Sequence, residues 1–317
     1  MPEYTSFKGV DRLSDTLLNE SLETNLIHWL DWCFLGIGGF GNVRLDSSGV
    51  YGGSLATLRE VSEPNYSARQ VYEGFRPNWV YETGVEYETQ PISISGVYVD
   101  NVFHPANASG AFGHYVNYPL GRVIFNSPIP SGSVVKLEYS YKKVSVISNT
   151  SRFAKTLMFD SYRPDANGFT VGSGVFTVLG QGRLAVPAVV VHVVDDRENV
   201  PMQLGGGVFA VQNTLFYIFT EDPGSLKTLK DIFSYQQEKT FYLYNRDAAI
   251  DSGVMPLYNT GRVNPSGWSY PMLVEHPDDG GLRDKRAYFK KVNIQNEQSN
   301  PRFYTAIAKA QISVDLP

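Results

Sequence analysis

The sequence has few cysteines and no long apolar run. Cys33 is the single cysteine among 317 residues, so no disulfide can form within the chain. No run of about 18 apolar residues occurs, which argues against a membrane-spanning helix. No charged and then apolar signal segment opens the chain. We therefore expect a protein made in a reducing bacterial cytoplasm, and not a secreted disulfide scaffold.

Motifs for catalysis and metal binding are also absent. No histidine stands in an HExxH motif or at a paired metal-ligand spacing. No serine lies in a Gly-x-Ser-x-Gly turn, and Cys33 stands on an apolar helical face, where a thiol is buried and inert. The glycines at 36–41 follow a helix, so they indicate a helix stop and not a phosphate-binding loop. We predict no enzyme, cofactor or metal. The histidines are His28, His104, His114, His192 and His276.

Charge and composition limit the class of protein without choosing one. The hydrophobic fraction of 42% is ample for one large core or two domains. The 27 basic and 32 acidic residues give a net charge of −5. This charge argues against a nucleic-acid binder that neutralises phosphates over its whole surface. It leaves open a conduit for DNA, because a passage that lets DNA slide must not hold it.

Residues 1–45 are expected to form an N-terminal helical segment. Apolar residues recur every three or four positions between residues 13 and 35, and a glycine cluster ends the run. Trp29, Trp32 and Phe34 make this helix too apolar for an exposed element. We predict that these three residues pack on a neighbouring surface, within the subunit or between subunits.

Residues 46–148 predict an all-β module. Short apolar runs flank the turns Pro119–Gly121 and Pro130–Ser133. Strands of this length with such turns suggest a small antiparallel sandwich or barrel. The polar residues Ser148–Ser151 mark the expected domain boundary, and a short helix is predicted over 152–159.

Strand and helix signals follow one another in a clear order in the C-terminal domain. The β-branched run Val186–Val194 predicts a buried strand, and Val208–Thr220 predicts a second strand that joins it in a hairpin. Asp222 and Pro223 are suited to begin an amphipathic helix that extends to residue 239. The runs FYLY (241–244) and 303–317 predict two further strands, the second with one buried face because apolar and polar residues alternate.

This hairpin, helix and strand combination resembles the core of the tail-terminator family, the ring proteins that cap the tail tube of long-tailed bacteriophages. The resemblance implies a fold of class α+β, in which the N-terminal helix and the β module precede a tail-terminator-like domain at 149–317. Residues 96–147 also resemble, in style, modules of phage virion structural proteins. The residues that carry the resemblance are Leu184–Pro187, LFYIF (215–219), LKTLKDIF (226–233) and FYTAIAKAQISVDLP (303–317).

The resemblance implies a structural subunit of a virion. We expect an oligomeric ring, a hexamer by resemblance, at the neck or tail terminator of a tailed phage. The ring would join the portal and neck to the tail tube and let DNA pass. Its expected partners are identical subunits, the head-closure protein, the tail tube and the sheath, with DNA as passing cargo and no membrane.

A long insertion, residues 247–298, separates the two last predicted strands. It is rich in Gly, Pro, Asn and Asp and then becomes basic, and we predict a protruding arm that clasps a neighbour. The basic run is interpreted either as a contact with DNA or an acidic neighbour, or as an edge hairpin that lysines protect from pairing. The basic residues are Arg283, Lys285, Arg286, Lys290 and Lys291.

Two other functions are compatible with the sequence. Trp79, Tyr81, Trp268 and Tyr270 are expected in loops and could stack on sugars, which would make the chain a baseplate or receptor-binding and glycan-binding virion protein. Acid pairs at 195–196 and 278–279 would suit a tail-associated hydrolase only if two carboxylates faced each other across a cleft.

Overall fold

The computed structural model describes residues 17–49, 53–106, 109–110, 112–151, 154, 175–178, 182–201, 207–297 and 303–316. Strands outnumber helices, and the predicted α+β class is confirmed. Among these residues, no helix combines the length and the apolar character needed to cross a membrane. The helix predicted at 152–159 lies outside the described residues, apart from Ala154.

Helix α1 spans Leu18–Gly36 and confirms the predicted N-terminal helix. It ends where the backbone turns through Gly38, at a φ of +78°, and the amide of Gly39 donates to the carbonyl of Phe34. Eight of its residues are buried, including Trp29 and Phe34. A helix with so wide a buried face is part of a core.

The described residues of the β module form eleven short strands, and all of their pairings are antiparallel. They form four small sheets, ordered β4-β5-β9-β8, β10-β6-β7, β1-β11 and β2-β3. Trp79, Phe125, Leu137 and Tyr139 are fully buried at the centre. The strands are β1 Phe40–Val43, β2 Ser48–Gly49, β3 Gly53–Ser54, β4 Arg59–Glu60, β5 Val71–Glu73, β6 Gly96–Val99, β7 Val102–Pro105, β8 His114–Asn117, β9 Arg122–Phe125, β10 Val135–Lys136 and β11 Tyr139–Lys142.

One turn of the β module matches the sequence prediction closely. Strands β8 and β9 pair around Pro119–Gly121. Gly121 has a φ of +62°, and a Cβ there would lie 2.6 Å from the carbonyl oxygen of Arg76. Only glycine meets both conditions without strain.

A seven-stranded sheet forms the second half of the molecule. Its order is β12-β15-β17-β20-β19-β18. Strand β16 pairs with the start of β17, which β15 does not reach. Strands β12 and β15 are parallel, and the other pairings are antiparallel. The remaining strands are β12 Ser145–Ser148, β13 Val175–Val178, β14 Gly182–Ala185, β15 Ala188–Val193, β16 Glu198–Pro201, β17 Val208–Thr220, β18 Thr240–Tyr244, β19 Arg283–Glu297 and β20 Tyr304–Leu316, with β13 and β14 paired to each other.

Helix α2, Pro223–Ser234, begins as predicted, since the Asp222 carboxylate accepts a hydrogen bond from the amide of Ser225 at 2.8 Å. It ends five residues earlier than expected. Glu238 adopts a φ of +67°, and its amide donates to the carbonyl of Phe289. The end of the predicted helix is therefore a turn that already pairs with β19.

The inner face of the sheet packs against α1, α2 and two short helices, α3 Arg246–Asp251 and α4 Tyr270–Leu273. The Phe216 ring lies 4.9 Å from that of Phe233 in α2, and Trp29 of α1 lies 5.1 Å from Phe241. Because α1 and β12 share this core, the domain divisions expected at residues 45 and 148 differ from the structure. The N-terminal helix packs as part of the C-terminal unit.

The arm predicted at 247–298 is wrong in its last third, where 283–297 form the interior strand β19. Ala287 and Phe289 are fully buried on the inner face, and a β-bulge follows at Lys290. The bulge shifts the alternation by one residue, so the inner positions continue at Val292 and Ile294. The charges and this shift concealed the strand in the sequence.

Candidate functional site

The outer face of the sheet has two chemically different parts. Toward β12 and β15 it is apolar, with Ala154, Val190, Phe219 and Phe303 buried in a small cluster. Toward β19 and β20 its side chains are polar and at least partly exposed. We call this second part the open face, defined by Asn213, Leu215, Lys291, Asn293, Lys309 and Gln311, which line one shallow groove together with Asp196.

The open face carries two lysines on neighbouring strands. Lys291 pairs in register with Gln311, and Asn293 pairs with Lys309, so the two lysines are diagonal neighbours. Diagonal Cα atoms in such a pair lie about 7–8 Å apart. Neither lysine forms an ion pair with another described residue. The open face therefore offers hydrogen-bond donors from the two ammonium groups and from the side-chain amides of Asn293 and Gln311.

The structure divides the predicted basic run into two groups. Arg286 is paired with Asp315 at 3.0 Å, Lys285 with Asp284, and the Arg283 guanidinium lies 4.6 Å from the centre of the Tyr242 ring. Lys290 and Lys291 are exposed and without a carboxylate partner among the described residues. The interpretation as a protected edge hairpin is wrong, because β19 lies between β18 and β20.

Sequence reasoning missed Lys309, which completes the open face. It stands alone in the closing strand and belongs to no local cluster of charge. The alternation of the closing strand indicated that Lys309 is exposed, but it did not indicate that Lys309 lies beside Lys291. Only the pairing of β19 with β20 brings the two together.

The residues predicted for subunit packing have internal roles. Trp29 and Phe34 are each 5% exposed and lie in the core of their own chain, so they are not available to a second copy. Trp32 is half-buried and lines a cleft. These residues are buried because α1 is the one long helix, among the described elements, that covers the inner face of the sheet near β18.

The outer edge of β18 is closed by side chains from two helices. The Asn25 amide of α1 accepts from the amide of Tyr244 at 2.9 Å and donates to its carbonyl at 3.2 Å. The Tyr270 hydroxyl donates to the carbonyl of Tyr242 at 2.7 Å. These bonds replace the partners that another strand would supply, which blocks strand addition at this edge.

A cleft of about 150 Å³ lies where α1, the β module and the segment 254–273 meet. We call it the aromatic cleft. It is defined by His28, Trp32, Tyr81, Glu82, Thr83, Trp268, Ser269 and Tyr270. Of the aromatic residues predicted to stack on sugars, Tyr81 and Trp268 line it together while half-buried. Trp79 is fully buried and Tyr270 is 9% exposed, so the expectation that all four stand in open loops is wrong.

A buried charge cluster lies beside the aromatic cleft. The Lys142 ammonium is 2.8 Å from Asp31 and 2.5 Å from Glu82, and it lies 4.6 Å from the centre of the Tyr81 ring. The second oxygen of Asp31, Oδ1, is buried with no hydrogen-bond partner. These residues connect α1, the Tyr81 loop and β11, so the cluster joins the two halves of the molecule.

Burial sets the protonation of this cluster. It raises the pKa of Asp31 to about 6, an effect that Lys142 opposes and that the negative charge of Glu82 increases. Burial also acts to lower the pKa of Lys142, but Asp31 and Glu82 outweigh it and hold that pKa above its ordinary value. Burial lowers the pKa of His28 to about 4, with further lowering by Lys142, so His28 is neutral at pH 7.

The other candidate chemical groups have structural surroundings. Asp195 accepts a hydrogen bond from Asn19, and Asp196 accepts one from Asn213. Burial raises the pKa of the Cys33 thiol to about 11, so it stays protonated at neutral pH. In the described parts of the chain, no three His, Cys, Asp or Glu residues are grouped as metal ligands would be.

Comparison with protein-family models gives no match, and comparison with curated proteins gives no significant relative. The open face and the aromatic cleft are therefore the features from which a function must follow.

Proposed function

We propose that the chain is a structural subunit of a closed ring at the head–tail junction of a tailed-phage virion, where it joins the neck to the tail tube and lets DNA pass. The resemblance to tail terminators supports this proposal. The resemblance rests on four strands of one sheet, β15, β17, β18 and β20, and on α2, which packs on the inner face of that sheet. The function is then mechanical, without bond-making chemistry.

The observation that carries the proposal is the open face. Strands β17, β19 and β20 are 13 to 15 residues long, which is about 43–50 Å at ~3.3 Å per residue. A subunit that lines a passage needs a long wetted surface of this kind. Lys291 and Lys309 have no ion-pair partner among the described residues, and they share the groove with side-chain amides and with Asp196. Such a surface attracts phosphates only weakly and reads no bases, so DNA in contact with it can slide.

Contacts between copies need a different surface from the open face. A closed ring uses two unlike patches on each subunit, repeated around the axis. The closed edge of β18 excludes ring growth by strand addition there. The β6–β7 hairpin instead presents Val102 and Phe103, which are 60% and 43% exposed, and Val134, 45% exposed, directly precedes the neighbouring strand β10. An apolar group exposed to this extent supports packing on the next copy.

Native mass measurement of the purified chain, with negative-stain imaging, tests the proposal. We expect rings of one defined copy number, six by family resemblance. Substituting Val102→Asp with Phe103→Ser should convert rings to monomers that keep the same circular dichroism spectrum. Tyr235→Ser is the matched control, because Tyr235 is 84% exposed but follows α2 in the C-terminal unit and is not part of the β6–β7 hairpin. A chain that stays monomeric at every concentration would overturn the proposal.

A further inference from the structure

We propose that the aromatic cleft binds one neutral six-membered sugar ring, so that the chain has a carbohydrate site in addition to its assembly surfaces. The site lies on each subunit and does not require the ring to close. The proposal rests on four properties of the cleft: its size, its ring faces, its uncommitted polar groups and its charge.

The size of the cleft selects a small ligand. Its volume is about 150 Å³, and a cavity of this volume holds one benzene ring, so the cleft has room for no more than one sugar ring. A longer glycan would therefore place a single residue in the cleft and leave the rest in solvent.

The walls of the cleft offer flat apolar surfaces. Trp32, Tyr81 and Trp268 come from α1, the β module and the segment before α4, and each is half-buried. A hexopyranose has one face made mostly of C–H groups, which packs on an indole or phenol ring as other apolar surface does. The Lys142 ammonium lies near Tyr81, and the neighbouring Trp268 ring makes no described contact with a cation.

Some polar groups around the cleft, which we call committed, already have a hydrogen-bond partner within the described residues, and others, which we call free, have none there. The Asn264 amide binds the carbonyls of Gly253 and Met255, and the Tyr270 hydroxyl binds that of Tyr242. By contrast, the Ser269 hydroxyl, the Thr83 hydroxyl and the Trp268 Nε1–H have no hydrogen-bond partner among the described residues.

The free groups are suited to hydroxyl ligands. A hydroxyl both donates and accepts, and sugar hydroxyls do the same, so Ser269 and Thr83 can bond to a sugar in either direction. The Trp268 indole adds a donor. Because the committed groups already stabilise the segment 254–273, the walls are preformed, as small-molecule sites are in general.

The charge of the site selects a neutral ligand. Two carboxylates, Asp31 and Glu82, face a single ammonium, Lys142, so the cluster carries a negative charge when both carboxyls are ionised. His28 adds no positive charge, because it is neutral at pH 7. An anionic sugar such as a uronic acid would be repelled.

Saturation-transfer NMR on the full chain tests the proposal with three probes: methyl glucopyranoside, methyl galactopyranoside and N-acetylglucosamine. We expect at least one to bind with a dissociation constant on the order of a millimolar, which is the affinity typical of about a dozen ligand atoms. Galacturonic acid should bind at least about fivefold more weakly than galactoside. No transfer from any neutral probe at about 20 mM would overturn the proposal.

Two conservative variants assign the binding to the cleft. Ser269→Ala removes a hydroxyl that caps nothing, and Trp268→Phe keeps an aromatic ring but loses the Nε1–H. Each should weaken binding about fivefold or more. Ser269→Ala should leave the unfolding midpoint close to that of the parent, whereas Trp268→Phe should lower it modestly, because Trp268 packs against the core. Tyr235→Ala changes an exposed residue that does not line the cleft and should bind as the parent does. Unchanged affinity in both cleft variants would place the sugar elsewhere and overturn the assignment. Native mass of the same samples reports separately on the ring.

Discussion

Substituting Lys142→Met should destabilise the chain strongly above pH 7 and much less at pH 5. Lys142 is 2% exposed and contacts two carboxylates, whose side chains are 9% and 8% exposed. Removing the ammonium leaves both carboxylates buried without a counter-charge. Breaking a buried ion pair from one side costs about 3–5 kcal/mol of unfolding free energy. We expect a loss of this size at pH 8.

The pH dependence follows from the direction of the pKa shift. The folded chain holds the Asp31 proton more tightly than the unfolded chain does, because its pKa is raised from 3.8 to about 6. The parent therefore loses stability as pH rises from about 4 to 6. Without Lys142, the pKa of Asp31 must rise further, because Lys142 is the group that opposes the rise, so the variant loses stability over a window that extends to higher pH.

Urea denaturation monitored by tryptophan fluorescence at pH 5 and pH 8 measures both effects. Lys143→Met is the matched control, because the adjacent Lys143 is exposed and donates only to the carbonyl of Gly38. Its loss should stay below about 1 kcal/mol. Adding Asp31→Asn and Glu82→Gln to Lys142→Met should restore most of the stability at pH 8. An equal loss at both pH values would refute the reasoning, as would a loss below 1 kcal/mol at pH 8.

Three further changes test the edge, the helix and the open face. Asn25→Ala removes both hydrogen bonds to the backbone of Tyr244 and should cost about 2–4 kcal/mol in urea denaturation, because a buried amide and carbonyl lose their partners. Asp222→Ala removes the cap of α2 and should cost about 1 kcal/mol by the same assay. Lys291→Gln with Lys309→Gln should weaken duplex DNA binding and lower its salt dependence by about two counterions, measured by fluorescence anisotropy from low to high salt.

Each of these changes has a control on the same element or of the same charge. Asn19→Ala replaces a half-buried asparagine of α1 whose amide contacts only Asp195, and Asp231→Ala replaces an exposed aspartate of α2. Both should change stability by less than about 0.5 kcal/mol. Lys227→Gln removes a cation from the exposed side of α2 and should reduce DNA binding less than the open-face pair does. Equal effects from control and test variants would contradict the roles assigned here.

Local patterns in the sequence predicted the elements whose signals are complete within a few residues. The Asp222 cap, the β8–β9 turn and the alternation of β20 each depend on neighbours along the chain, and the structure confirms all three. Strand β19 was missed because its bulge breaks the period of two and because lysines occupy its outward positions.

Local patterns did not predict the open face or the aromatic cleft, because the residues of each come from distant parts of the chain. Lys291 and Lys309 meet through strand pairing, and Tyr81 and Trp268 meet because the β module packs directly on the segment 254–273. Nothing in the spacing of Trp79 and Tyr81 distinguished the ring that is buried from the ring that lines the cleft. Their burial depends on the packing of β11 and α1, which the local pattern does not contain.

By itself, the sequence determined the α+β class, the N-terminal helix, the hairpin with its capped helix, and the closing strand, because backbone geometry and apolar periodicity act over short distances. The tertiary structure alone decided that α1 belongs to the C-terminal core, that a basic segment is an interior strand, and which polar groups remain uncommitted. These outcomes depend on which distant surfaces fit one another when they are buried, and that fit is a property of the whole chain.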